Sequence, residues 1–157
     1  MNINLLTACA ALISALASFG ALINSIRIQK QSAKENKQRV TIEAFNRLQD
    51  LVLDKMVSFN NFDACILVDD KDYESEVREA YDGCRTLIAK CEHFAVGVNN
   101  DVYDFDLVNS LGGMHLVYLY YKVLPIIENA RQYAKDSYVE FEKLVKRLES
   151  HNNGEKV

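Results

Sequence analysis

The segment YESEVREAYDGCRTLIAKCEHFAVGV, residues 73–98, decides the fold class of this chain. Its apolar side chains recur every three or four residues, which is the spacing of one face of an α-helix. They are Tyr73, Val77, Tyr81, Cys84, Ile88, Cys91, Ala95 and Val98, with Leu87 and Phe94 broadening the face. Because such a face must leave water, we expect this helix to pack against other helices.

Three further regions are predicted to be helical from their apolar spacing and their capping residues. The first runs from about residue 28 or earlier to about 58. The second begins at Phe105, behind a cap at Asp101 or Asp104, and continues to about 124. The third runs from about 126 to 150.

Glycine and proline are sparse, since the chain has six glycines and one proline, and this composition favours long helices with few turns. Gly112 and Gly113 are expected either to end a helix or to let another backbone approach closely. Pro125 is expected to impose a kink or a fresh start. No strand pattern of convincing length is present, so the predicted fold is all-α, an antiparallel bundle of about four helices.

Residues 1–26 contain no charged side chain. At roughly 1.5 Å per helical residue, the stretch from Ile3 to Ile26 is long enough to cross a hydrocarbon core of roughly 30 Å. We therefore predict a single transmembrane helix, which is expected to continue into the first helix of the bundle. The alternatives are a cleaved signal peptide with small residues near Ala15 and Ala17, which lacks a basic region before the apolar stretch, and a lipidation site at Cys9, which comes too early.

A basic segment follows this apolar stretch. Within residues 27–39 there is one acidic residue, Glu35, and five basic residues: Arg27, Lys30, Lys34, Lys37 and Arg39. Because lysine and arginine resist translocation, the amino terminus is predicted outside and the remaining chain in the cytoplasm, at the inner membrane. The basic residues are expected to contact anionic lipid headgroups, or to serve only as a stop-transfer flank.

These features predict four parts of the chain: a transmembrane anchor at 1–26, a basic juxtamembrane stalk at 27–39, a helical bundle at 40–150 and a disordered tail at 151–157. The other 13 basic and 21 acidic residues all lie between 40 and 157, so that part carries a net charge of −8. An acidic bundle is repelled by nucleic acid and by anionic lipid. Nucleic-acid binding is therefore not expected.

Small residues are frequent in the predicted anchor. Ala10, Ser14 and Ser18 form one stripe at a spacing of four, and Ala17 and Ala21 extend it around the helix. Small residues at this spacing let two helix backbones approach closely in lipid. The stripe predicts self-association, hence a homo-oligomer, although alanine is also a common filler of moderately apolar spans.

The cysteines of the predicted bundle do not form a metal site by spacing. Cys84 and Cys91 share the apolar face, and His93 points about 200° around the helix from Cys91, so two packed thiols are expected. The acidic stretches 69–72 and 101–106 lack the ligand spacing of a calcium loop. No catalytic motif is present, so neither an enzyme nor a cofactor is predicted.

One group of polar residues stands out. His115 is close in sequence to Tyr118 and Tyr121, and Arg131 follows beyond Pro125. A histidine among tyrosines can act as a base or a sensor, so these four residues are a possible polar pocket or partner surface. The alternative is that the tyrosines only fill helix interfaces and satisfy the histidine.

Several short stretches together resemble a family. Residues 92–98 (EHFAVGV), residues 102–106 (VYDFD), a following glycine, tyrosines and Arg131 are similar to an uncharacterised family of small bacterial and phage proteins. The resemblance implies one amino-terminal transmembrane helix and a helical domain of unknown function, without catalytic residues. Residues 97–104, with a glycine and asparagines that can turn the chain, are expected to form a joint between two helices. At this joint we expect Tyr103 and Phe105 to pack near Phe94, and Arg131 to bond loop carbonyls or Asp104.

The favoured function is a non-enzymatic interaction or scaffold module, anchored in the inner membrane, which presents its bundle to an unknown cytoplasmic protein. The alternative is a bacterial or phage conflict effector, acting in superinfection exclusion or abortive infection at the membrane. A third hypothesis makes the group around His115 a small-ligand pocket.

Overall fold

The computed structural model describes residues 3–59 and 75–154, with the side chains of 3–13, 15, 17, 53–59 and 75–77 left aside. Four helices account for most of these residues: α1 (Ile3–Phe59), α2 (Ser75–Asn99), α3 (Phe105–Tyr133) and α4 (Val139–Asn152). No strand occurs in either described range. The all-α prediction is thereby confirmed, and α1 is continuous from Ile3 through residue 28 to Phe59, as expected.

The chain divides into two compact units, Met1–Lys37 and Gln38–Val157. In the first unit, the described side chains up to residue 36 are all exposed. No described helix is both long and apolar enough to cross a membrane. The transmembrane helix predicted for 1–26 is therefore not supported. The side chains of residues 1–13, 15 and 17 in that segment lie outside the described ones.

The second unit contains the hydrophobic core. Its buried side chains come from all four helices, and the apolar face predicted for 73–98 is buried from Cys84 to Val98. Tyr73 and Val77, at the start of that face, lie outside the described side chains. The largest fully buried side chains are Phe141, Leu87, Ile88, Leu119, Ile126, Ile127, Leu144 and Leu148. Burial of these side chains is the main source of stability of such a unit.

A tight turn joins α2 to α3. The amides of Val102 and Tyr103 both donate to the carbonyl of Gly97, at 2.9 and 3.0 Å. The Tyr103 ring stacks on Phe94, with 5.3 Å between ring centroids, and lies so close to Gly97 that a methyl group there would overlap it. The packing of Tyr103 therefore requires glycine at position 97. The expected contact of Tyr103 with Phe94 is confirmed.

The start of α3 is capped as predicted by Asp104, whose Oδ1 accepts a hydrogen bond from the amide of Leu107 at 3.1 Å. The amide of Asp104 itself donates to the hydroxyl of Thr41 at 2.9 Å. Thr41 belongs to α1 and is fully buried. The ring of Phe105 lies under the guanidinium of Arg147, whose Cζ is 3.8 Å from the ring centroid.

Helix α3 bends at a glycine and not at its proline. Gly112 has φ 122° and ψ 37°, which breaks the helical backbone, whereas the helix continues through Pro125 without another non-helical residue. The left-handed region suits glycine because it has no Cβ. Gly113 is buried against Leu148 of α4, so the two expectations for this glycine pair are met by different members.

The single helix predicted for 126–150 is wrong. Helix α3 ends at Tyr133, residues 134–138 form turns, and α4 begins at Val139. Tyr138 has φ 60°, a left-handed conformation that helices do not contain. Ala134, in the segment between the two helices, is exposed. At the other end, α4 includes His151 and Asn152, the first two residues of the predicted tail.

Candidate functional site

The amino terminus of α4 is capped from another helix. Tyr138, at the N-cap position, makes no side-chain hydrogen bond to α4. Instead, the Glu92 carboxylate of α2 accepts from the amide of Glu140 at 3.1 Å and from that of Phe141 at 2.7 Å. A negative charge at a helix amino terminus is favourable because free amides and the helix dipole are positive there.

Asn99, at the end of α2, adds a second connection to α4. Its side-chain amide donates to the Glu140 carbonyl at 3.0 Å and to the Glu140 carboxylate at 2.8 Å. Hydrogen bonds from Lys143 and Asn99 hold the pKa of the Glu140 carboxyl below its usual range. Two residues of α2 therefore bond the first turn of α4, namely Glu92 and Asn99.

Arg131 fastens the turn between α3 and α4. Its Nε donates to the carbonyl of Ser137 at 2.9 Å, and its Nη2 donates to the carbonyl of Tyr138 at 3.4 Å and the Glu142 carboxylate at 2.7 Å. Bonds from Lys146 and Arg131 lower the pKa of the Glu142 carboxyl. Arg131 was expected to bond carbonyls of the 97–104 loop or Asp104, but the carbonyls that accept from it belong to the turn between α3 and α4.

A cavity of about 290 Å³ lies between α1 and α3, within the second unit. The residues that line it are Phe45, Leu48, Gln49, Val52, His115, Leu116 and Tyr118. Its floor consists of buried apolar side chains, whereas Gln49 is half-buried and His115 and Tyr118 are exposed. It is an apolar cavity with hydrogen-bonding groups at its rim.

The kink at Gly112 lies beside His115. A Cβ built on Gly112 would be 3.2 Å from the imidazole Nδ1, which is closer than nearly all ordinary contacts. The glycine therefore serves both the bend of α3 and the space for the histidine ring.

The four residues predicted as a polar pocket are not brought together. His115 and Tyr118 line the cavity, but Tyr121 donates a hydrogen bond from its hydroxyl to Glu149 of α4 at 2.9 Å, and Arg131 lies at the turn. The bond to the Glu149 carboxylate raises the pKa of the Tyr121 hydroxyl. Only half of the predicted group contributes to one site.

The residues predicted for self-association are partly described. Ser14, Ser18 and Ala21 are exposed on α1, and the Ser18 hydroxyl donates to the Ser14 carbonyl at 2.9 Å. The side chains of Ala10 and Ala17 lie outside the described residues.

The basic residues predicted to meet lipid headgroups lie on α1. Arg27, Lys30, Lys34 and Arg39 are exposed, and Lys37 is half-buried. The acidic residue among them, Glu35, accepts a hydrogen bond from Gln31 one helical turn away at 3.0 Å. The cations at 27, 30 and 34 therefore stand in solvent on the first unit.

Residues 5–148 match the family described as "Domain of unknown function (DUF4760)". The chain belongs to this family. The match includes α2, α3 and most of α4, so the Glu92 cap and the Arg131 bonds lie inside the DUF4760 region. No curated protein and no solved structure matches the chain.

Two thiols of this DUF4760 domain, those of Cys84 and Cys91, are almost inaccessible. Burial raises the pKa of the Cys91 thiol to about 12. A thiol in that state is a poor nucleophile because little thiolate forms near neutral pH. Among the described side chains, no three histidine, cysteine, aspartate or glutamate residues are grouped to hold a metal ion.

Glu92 is the structural residue that sequence reasoning missed. It follows the buried Cys91 and is half-buried, which in sequence appears only as an acidic residue at the edge of an apolar face. Glu140, whose amide donates to it, lies 48 residues further along the chain. Sequence spacing carries no signal for a cap supplied by a distant helix.

Proposed function

We propose that this chain is a membrane-anchored, non-enzymatic interaction module, in which α1 enters the bilayer and the second unit meets a protein partner on the cytoplasmic side. The observation that carries the proposal is the exposed apolar side of α1. Leu16 and Phe19 are 72% and 65% exposed, and Leu22, Ile23 and Ile26 are also exposed. Soluble proteins rarely leave contiguous apolar surface uncovered, so such surface marks a membrane or protein contact.

Charge supports a bilayer as the contact. Residues 1–26 are uncharged, and the exposed cations Arg27, Lys30 and Lys34 follow directly. Near an anionic surface, each such cation contributes about 1 kcal/mol of attraction. An exposed apolar segment followed by cations matches the order of a span and its cytoplasmic flank.

The two sides of α1 differ in residue size. At about 100° per residue, Leu16, Phe19 and Ile23 lie on one side of the helix, and Ser14, Ser18 and Ala21 lie opposite. In lipid, large apolar side chains face acyl chains, while small ones let a second helix approach. This difference supports self-association through the small side.

Exposed aromatic residues on α3 supply a surface for a cytoplasmic partner. Tyr118 and Tyr121 are 56% and 54% exposed, and Met114 lies one turn before Tyr118 on the same helix. Tyrosine and methionine are enriched at protein interfaces because they offer large contact areas. The proposed partner surface is therefore Met114, Tyr118 and Tyr121.

Membrane insertion is tested by replacing Leu16 and Phe19 together with arginine. We expect the wild-type chain to remain in the membrane pellet after carbonate extraction and the variant to move largely to the supernatant, because each arginine near a span centre costs about 2.5–3.5 kcal/mol. Ile42→Arg is the matched control, since Ile42 is an exposed apolar residue on the same helix outside the proposed span. A wild-type chain that carbonate extracts would contradict membrane insertion.

Self-association is tested by Ser14→Leu with Ser18→Leu. We expect the wild-type chain to give a crosslinked dimer in intact membranes and the variant to give none while staying in the pellet, because the larger side chains separate the backbones and remain apolar. Leu22→Ile serves as the control, since it changes an exposed apolar residue without adding bulk. Unchanged crosslinking would exclude the small side as the contact. Depolarisation of cells on induced expression would favour the alternative of a membrane-acting conflict effector.

A further inference from the structure

We propose that the cavity between α1 and α3 binds a small, uncharged, mainly apolar molecule that carries one hydrogen-bonding group, of the size of benzyl alcohol. The proposal does not depend on membrane insertion, because every residue that lines the cavity belongs to the second unit.

The size of the cavity limits the ligand. Its volume of about 290 Å³ is near the lower end of the roughly 300–1,000 Å³ typical of small-molecule sites. An engineered apolar cavity of about half this volume holds benzene. A single ring with a short substituent therefore suits the available space.

The side chains at the floor of the cavity favour a ligand that is mainly apolar. Phe45, Leu48 and Leu116 are each at least 94% buried, and Val52 lies beside them. A ring that covers these side chains removes apolar surface from water on both partners, which is favourable in proportion to the area. The Tyr118 ring at the rim extends this surface.

The side chains at the rim of the cavity favour a ligand with one hydrogen-bonding group. Three lining residues carry hydrogen-bonding groups: Gln49, His115 and Tyr118. A side-chain amide or an imidazole can either donate or accept a hydrogen bond. Among the side chains that the structure describes, no aspartate, glutamate, lysine or arginine lines the cavity. Because an ionised group loses hydration on entry and finds no opposite charge there, a neutral ligand is favoured over a charged one.

The backbone of α3 positions the histidine for this role. Gly112 bends the helix three residues before His115 and leaves space next to the imidazole.

The test is a titration of the full-length chain, in detergent micelles, with benzyl alcohol and separately with benzoate, observed through methyl resonances. We expect benzyl alcohol to shift the methyls of Leu48, Val52 and Leu116 with a dissociation constant on the order of 1 mM, and to leave Leu144 unchanged. Benzoate, which has the same ring but a negative charge, is expected to bind about tenfold more weakly or not at all.

Variants at the rim distinguish a specific site from general partition. His115→Ala or Gln49→Ala is expected to weaken benzyl alcohol binding about threefold to tenfold, as for one lost hydrogen bond. Tyr121→Phe is the matched control on α3, because Tyr121 bonds Glu149 and does not line the cavity. Equal shifts at Leu144, equal binding of benzoate, or the absence of any shift at the three cavity methyls would each overturn the proposal.

Discussion

Glu92→Ala is expected to lower the free energy of unfolding by about 3 kcal/mol. The Glu92 carboxylate accepts two hydrogen bonds, from the amides of Glu140 and Phe141, at the start of α4. Hydrogen bonds to charged groups contribute about 1.5–3 kcal/mol each, and the favourable interaction with the helix dipole adds to them. Because Tyr138 provides no side-chain cap, nothing local replaces the lost acceptor.

Urea denaturation of the full-length chain, followed by circular dichroism, measures the loss, and amide hydrogen exchange locates it. Exchange at Glu140 and Phe141 is expected to accelerate more than exchange within α2, because α4 frays first. Glu92→Gln keeps the shape and one acceptor oxygen, so it is expected to cost about half as much. Glu79→Ala is the control, since Glu79 is exposed on the same helix and such substitutions stay within about 0.5 kcal/mol. Equal stability of the Glu92 and Glu79 variants would show that the cap contributes little.

The sequence predicted those parts of the fold that depend on residues close to one another along the chain. The buried face of α2 follows from apolar spacing, and the start of α3 follows from Asp104, whose carboxylate bonds an amide three residues on. The close approach at Gly97 was also foreseeable, because a glycine and a nearby tyrosine flank the turn. In each case, the interacting groups lie within about seven residues of one another.

The break at 134–138 has one local cause and one distant cause. The apolar spacing continues through this region without glycine or proline, so a single helix was the natural prediction. The turn is instead held by Arg131 through the carbonyls of Ser137 and Tyr138, and α4 then starts on the carboxylate of Glu92. Tertiary contacts thus override helical propensity, which is weak. Conversely, Pro125 removes one amide donor, yet the backbone of α3 stays helical there, and the non-helical residue inside α3 is Gly112.

The residues of the cavity, too, could be predicted from the sequence only in part. His115 and Tyr118 are three residues apart, so their common position on α3 was predictable. Tyr121 continues the same spacing, yet its hydroxyl is bonded to Glu149 of α4. The floor comes from Phe45, Leu48 and Val52 of α1. Sequence spacing within one helix does not reveal which helix packs opposite it.

Gly113→Ala is expected to lower the free energy of unfolding by about 1–2 kcal/mol, although alanine favours helices. The added Cβ would lie 2.6 Å from Cδ2 of Leu148 and 3.4 Å from the carbonyl oxygen of Val108. Leu148 is fully buried, so its side chain has little room to move. Overpacking of this kind costs about 1–3 kcal/mol, and the better helix propensity of alanine offsets up to about 1 kcal/mol of it.

A double-mutant cycle with Leu148→Val separates this contact from a backbone effect. Removal of the leucine Cδ atoms opens the space that the new methyl needs, so the two substitutions together are expected to cost about 1 kcal/mol less than the sum of the single ones. Gly20→Ala is the control, because nothing lies within 4 Å of its Cβ position, and it should leave urea denaturation of the bundle unchanged. Additive effects of Gly113→Ala and Leu148→Val would mean that the glycine is needed for backbone conformation next to the Gly112 kink, not for the approach of α4 to α3.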